Sequence, residues 1–167
     1  YGTAPFFTGV LEGFVYDEDT LALAGGPTWT LIDTATGTPI SGNPNAGFYT
    51  VRPSDLLLVS PPNYVIQYED GGIFVQNATL TVSADSSQTT YGTPPSPTVT
   101  ITGLVNGDSE ASVVQSGPNY LYRDSIGGLV SGSDLHGGNY SIEPTGLVLN
   151  PPVNYTIQYS NGILTVN

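Results

Sequence analysis

The sequence predicts a mainly β fold, a β-rich α+β chain built as two tandem modules with one short helix in each. Three observations predict it. First, 21 Gly and 14 Pro among 167 residues suit short strands joined by many turns and are high for a helical protein. Second, 11 Tyr and 5 Phe, with many Val, Ile and Leu, fall in alternating runs, which marks half-buried strands rather than a disordered chain. Third, the same sequence blocks occur twice in the same order, the signature of a repeat.

The repeat carries the domain reading. Tyr1-Gly2-Thr3-Ala4-Pro5 returns as Tyr91-Gly92-Thr93-Pro94-Pro95, and Gly13-Phe14-Val15 as Gly103-Leu104-Val105. Gly47-Phe48-Tyr49-Thr50-Val51-Arg52-Pro53 returns as Gly138-Asn139-Tyr140-Ser141-Ile142-Glu143-Pro144, and Asn63-Tyr64-Val65-Ile66-Gln67-Tyr68 as Asn154-Tyr155-Thr156-Ile157-Gln158-Tyr159. The spacing is 90 residues early and 91 later. Two modules follow, residues 1–77 and 78–167, each close to the size of a small domain.

Each block reads as local structure. Tyr64, Ile66 and Tyr68 share one strand face, as do Tyr155, Ile157 and Tyr159. Asp70-Gly71 and Asn161-Gly162 come next, pairs that suit a tight hairpin turn. Ile73-Phe74-Val75 and Ile163-Leu164-Thr165-Val166 are then the return strands. Upstream, Tyr49/Val51 and Tyr140/Ile142 alternate in another strand, which Pro53 and Pro144 interrupt. Leu56-Leu57-Leu58-Val59 and Leu147-Val148-Leu149 resume it. The helices are placed at Thr20–Ala24, after the acidic run Asp17-Glu18-Asp19, and at Ser109–Val114, with Asp108 as N-cap.

The junction adds one expectation. Ala78–Ala84 alternates as a strand and belongs ahead of Tyr91-Gly92, as the opening strand of the second module. Nothing equivalent precedes Tyr1, so the first module is expected to lack its opening strand and to expose a sheet edge on which another chain can dock. Tyr1 is not a translational start, and the chain reads as a piece of something longer.

Charge narrows the partners. Fourteen acidic residues face two basic ones, Arg52 and Arg123, for a formal net charge of −12. Such a surface repels phosphate backbones and anionic lipid, so nucleic acid and membrane insertion are not expected. With no Cys, disulfides play no part. With no Lys, a Lys–Asn crosslink within the chain is excluded.

The order Tyr-Gly-x-x-Pro, Gly-Leu-Val-Asn-Gly-Asp, Gly-Asn-Tyr-x-Ile, Asn-Tyr-x-Ile-x-Tyr-x-Asn-Gly-x-Leu-Thr-Val resembles the MBG-type (YGX) repeat of large bacterial cell-surface and adhesin-like proteins. Residues 78–166 match nearly throughout. The first copy matches at its ends, with Phe14-Val15-Tyr16-Asp17-Glu18 replacing the Asn-Gly-Asp turn. The resemblance implies a β-grasp-like core, with an immunoglobulin-like sandwich as the alternative. It also implies an extracellular stalk or spacer in cell adhesion, with neighbouring repeats as partners.

Candidate chemistry is sparse. No nucleophile stands beside a base, and an enzyme is not expected. His136, the single His, reads as an exposed loop residue. Asp17, Glu18 and Asp19 are the candidate metal ligands, with calcium the ion that such oxygens suit; the competing reading is an acidic first helical turn. Trp29 and Tyr16 are the candidate ligand-binding aromatics, for a glycan or a cell-surface protein, although core packing is the plainer fate of Trp29. Strand addition between copies, leading to a filament, is the remaining alternative.

Overall fold

The computed structural model describes residues 1–18, 22–59 and 63–167. They form two compact units: an N-terminal unit, Thr3–Gln76, and a C-terminal unit, Asn77–Asn167, which also holds Tyr1–Gly2. Both are mainly β.

The N-terminal unit contains β1 (Leu23–Gly25), β2 (Thr28–Asp33), β3 (Pro39–Ile40), β4 (Gly47–Ser54), β5 (Leu57–Leu58) and β6 (Gly71–Val75). Four of them form an antiparallel sheet in the order β3-β2-β4-β6, and β1 pairs with β5. Alternation along β4 turns Tyr49 and Val51 inward, where they meet Leu31 of β2. Phe7, Trp29, Ile40, Ile73 and Val75 pack around this small cluster.

The C-terminal unit contains β7 (Ala78–Ala84), β8 (Ser87–Thr89), β9 (Val99–Thr102), α1 (Glu110–Val113), β10 (Val114–Ser116), β11 (Asn119–Arg123), β12 (Leu129–Val130), β13 (Gly138–Thr145), β14 (Val148–Leu149), β15 (Tyr155–Ser160) and β16 (Gly162–Val166). One sheet runs β12-β11-β13-β16-β8, a second β15-β7-β9, and β10 pairs with β14. β7 lies parallel to β15 and antiparallel to β9, while β8 lies parallel to β16. These parallel pairs depart from the immunoglobulin alternative, whose sheets are antiparallel.

Two hydrophobic clusters hold this unit, and β7 belongs to both. Leu80 and Val82 are fully buried with Val113, Leu147 and Tyr155. Ala84 joins Tyr122, Leu135, Ile142, Leu164 and Val166.

Several local expectations are corrected. The pairs Asp70-Gly71 and Asn161-Gly162 do not close hairpins. β15 pairs with β7, whereas β16 pairs with β13 and β8, so the chain changes sheet at Asn161. The reason for glycine there is space: a Cβ on Gly162 would stand 2.5 Å from the Ala84 carbonyl oxygen. Pro53 and Pro144 lie within β4 and β13 rather than breaking them. Each sits past the last rung shared with β6 or β16, so the missing N–H costs no bond on that side.

The helices also differ from expectation. In the first copy Thr20 and Leu21 lie outside the described residues, but Leu23–Gly25 is a strand held by β5, not helix. In the second copy the N-cap is Ser109, whose side chain and that of Ser112 form a reciprocal capping box. Asp108 is drawn away by two tyrosine hydroxyls, Tyr1 at 3.0 Å and Tyr155 at 2.7 Å.

Candidate functional site

A groove of about 990 Å³ lies in the N-terminal unit. One wall is the segment Phe6–Glu12 and the other is Ile66–Gly72, with Trp29, Val51, Leu56 and Ile73 between them. Both walls run without a strand assignment between residues 6 and 12 and between 63 and 70.

Trp29 reaches the groove because β2 alternates. Its backbone pairs with Pro53 on β4, and its ring lies 6.2 Å from that of Phe7. A Cβ on Gly9 would come within 2.8 Å of the indole, so glycine lets the wall close over the ring. Trp29 is thus half-buried, as core packing requires, and still lines the groove. Tyr16, the other candidate, is not part of it. It stands 94% exposed in a turn where both Tyr16 and Asp17 adopt positive φ, 58° and 60°.

The walls are mixed in character. Val10 and Phe6 are strongly exposed, while Glu12 and Glu69 bring negative charge to the lining. The nearby cation is engaged: Arg52 grips Asp70 through Nε and Nη2, the shortest contact being 2.7 Å. That grip lowers the Asp70 carboxyl pKa and raises that of the guanidinium.

The acidic run is placed as follows. Glu18 accepts a short hydrogen bond from the Tyr64 hydroxyl, which raises the Tyr64 pKa. The same hydroxyl takes the Val15 N–H at 3.1 Å. Tyr155 does the equivalent in the C-terminal unit, binding Asp108 and the Val105 N–H. Glu18 therefore acts as the counterpart of Asp108 in a turn brace. Asp17 is exposed, and Asp19 lies outside the described residues. Among the described residues no group of three or more His, Asp or Glu is gathered as a metal site.

His136 is in an exposed loop, donating from Nδ1 to the Asp134 carbonyl at 2.9 Å, with its ring 5.9 Å from that of Tyr91. No Ser–His contact appears among the described hydrogen bonds. Every buried side-chain nitrogen and oxygen described has a partner.

Sequence reasoning found Trp29 but missed its surroundings: Phe6, Phe7 and Gly9 on one wall and Ile66 on the other. The adjacent aromatics Phe6-Phe7 were a usable signal, since the matching positions of the second copy hold Ser96 and Pro97.

No curated protein and no solved structure matches the chain. The family model described as MBG domain (YGX type) matches residues 80–165, the stretch from β7 to β16. This match takes in just over half of the chain and the whole repeated framework of the C-terminal unit, and the protein belongs to the MBG domain (YGX type) family.

Proposed function

We propose that this chain is a non-catalytic pair of repeat modules from a large bacterial surface protein, working outside the cell as a stalk or spacer in adhesion. The observation that carries the reading is the family match over the C-terminal unit, whose polar side chains serve the scaffold. Tyr155, Asp108 and Val105 tie a loop to a strand. Asp85 ties the end of β7 to Thr98 and Thr100 at 2.7 and 2.8 Å. A spacer needs this kind of internal bracing and a solvating charge, here −12. No helix among the described residues is long and apolar enough to cross a membrane, and the reading requires none.

The test is cell-surface labelling. An antibody against the C-terminal unit should label intact cells that produce the parent protein, and shortening the repeat region should reduce their attachment. Labelling only after permeabilisation would remove the surface reading, and unchanged attachment would remove the spacer role.

A further inference from the structure

The outward face of the N-terminal sheet is built differently from the same face in the C-terminal unit. Along β4, Phe48, Thr50 and Arg52 point away from the core, since Tyr49 and Val51 point into it. On β6 the outward positions are Gly72 and Phe74, with Ile73 and Val75 turned inward. Pairing sets these residues in rows, Phe48 opposite Phe74 and Thr50 opposite Gly72. The next row is the ion pair of Arg52 with Asp70, at 2.7 Å. The face thus runs from two aromatic rings, over a floor that has a side chain on one strand alone, to a paired carboxylate and guanidinium. Four residues at the rise of a strand make it about 13 Å long.

The rings are open to solvent. Phe48 is 72% exposed and Phe74 52% exposed, with centroids 4.5 Å apart and planes tilted by 36°. The repeat shows that the framework does not need them. The matching positions hold Asn139 and Thr165, which face one another across β13 and β16 and share a hydrogen bond of 3.0 Å. The floor row is Ser141 and Ile163 there, and the Ile163 side chain stands 57% exposed. In the last row Glu143 accepts from Arg123 at 2.7 Å and from Asn161 at 3.5 Å. One unit closes this face with polar pairs, and the other lays aromatic rings open on it.

Gly72 is an independent sign. Its φ is not positive, and a Cβ there would find only the Tyr49 carbonyl oxygen, at 4.0 Å. Neither backbone conformation nor a crowding neighbour calls for glycine, and glycine inside a strand weakens it. Such a glycine marks a place where a ligand approaches the backbone closely. Its missing side chain leaves a shallow floor between the rings and the ion pair.

Size and charge select the ligand. The two rings expose on the order of 250 Å², well short of the roughly 800 Å² that each partner contributes to a stable protein interface. Arg52 spends Nε and Nη2 on Asp70, and the chain carries a formal charge of −12, so an anion is repelled. The groups on offer are two π faces, the Thr50 hydroxyl, which lies 3.4 Å from that of Thr34, and the Asp70 carboxylate. Apolar C–H bonds that meet the rings and O–H groups that meet the oxygens belong together in a sugar.

We propose that this face binds a neutral oligosaccharide, with one sugar ring on Phe48 and Phe74 and the next over Gly72, its hydroxyls donating to Asp70 and Thr50. A pyranose with equatorial hydroxyls turns its axial C–H bonds toward the negative faces of the rings. The Arg52 grip holds the Asp70 carboxylate ionised and fixed in place as the acceptor. The site is set by the pairing of β4 with β6 and does not depend on a spacer role.

The test titrates the isotope-labelled full chain with cellotetraose, a neutral tetramer of all-equatorial glucose, and follows the backbone amide signals by NMR. Saturable shifts at millimolar sugar are expected, largest in residues 48–52 and 70–74. Two variants borrow residues that the C-terminal unit already carries on this face: Phe48→Asn combined with Phe74→Thr, and Gly72→Ile alone. Each should keep the dispersed spectrum of a folded sheet and bind about tenfold more weakly or worse. If the double variant does not fold, the Gly72→Ile chain decides. The same tetramer with each primary alcohol oxidised to a carboxylate should also bind about tenfold more weakly. The proposal is overturned by the absence of saturable shifts, by shifts centred elsewhere, or by undiminished binding to the folded Gly72→Ile chain. Self-association of the unliganded chain that the double variant abolishes also overturns it, since the face is then a contact between copies.

Discussion

Tyrosine hydroxyls carry much of the local order, and their surroundings set how much each is worth. The Tyr155 hydroxyl binds Asp108 and the Val105 backbone beside a buried cluster, whereas the equivalent Tyr64 does so at an exposed edge. Tyr155→Phe should therefore destabilise the C-terminal unit by about 1–3 kcal/mol, the range for stranding partly buried hydrogen-bond partners. Tyr64→Phe should cost less, because water can replace the lost partner. Urea unfolding of both variants compares them directly. The ionisable groups bound the stable pH range from both sides. Asp33 is held low by the backbone N–H groups of Thr36 and Ala35, Asp55 by Thr28 and Ser54, Asp70 by Arg52, and Asp85 by Thr98 and Thr100. Carboxylates lowered in the folded state contribute stability above their unfolded pKa of about 4, which is lost as pH falls through their folded values. Burial raises the hydroxyls of Tyr49, Tyr120, Tyr122 and Tyr155. Their contribution is complete below about pH 10 and is lost as pH rises through their folded values. Unfolding midpoints measured across the pH range should fall at both ends. A midpoint that keeps rising below about pH 4 would contradict the assignment.

The element that decides most is β7. Its two fully buried side chains sit at the centre of one cluster and its last residue enters another. Leu80→Ala should cost roughly 2–5 kcal/mol, as for other large-to-small changes in a core. The strand also sets the glycine pattern. Gly162→Ala forces a Cβ toward the Ala84 carbonyl and should destabilise by about 2 kcal/mol or more. Gly71→Ala, at the equivalent place in the N-terminal unit, should stay within about 0.5 kcal/mol. Chemical denaturation of the two variants decides whether the same residue type serves a contact in one unit and an open path in the other. The strands of β4, β13, β6 and β16 were legible in the sequence because alternation of Tyr, Val and Ile survives wherever one sheet face is buried. The supposed hairpins were not. An Asn-Gly or Asp-Gly pair looks the same whether glycine is needed for a positive φ or for close approach of another strand, and only the partner strand distinguishes them. The first-copy helix failed for a related reason: Leu23–Gly25 is claimed by pairing with β5, which lies far along the chain.

For the whole molecule, the two units differ in how much apolar surface they enclose. The C-terminal unit holds two clusters that share β7, and the N-terminal unit holds one with three buried members. The N-terminal unit should unfold first. Trp29 emission, which reports only that unit, should change at a lower temperature than the near-ultraviolet tyrosine signal that Tyr122 and Tyr155 dominate. Coincident transitions would show that the units unfold as one.

By itself, the sequence determined the β-rich class, the two-fold repetition and the family, because each of these is written in local alternation and in spacing along the chain. It also placed Trp29 among the residues worth watching. The tertiary structure decided what those residues do. It showed that glycines at matching positions face a strand in one unit and open space in the other, that Glu18 braces a tyrosine, and that Trp29 lines a groove. These facts depend on which distant segments meet, and contact between distant segments leaves no periodic trace in the chain.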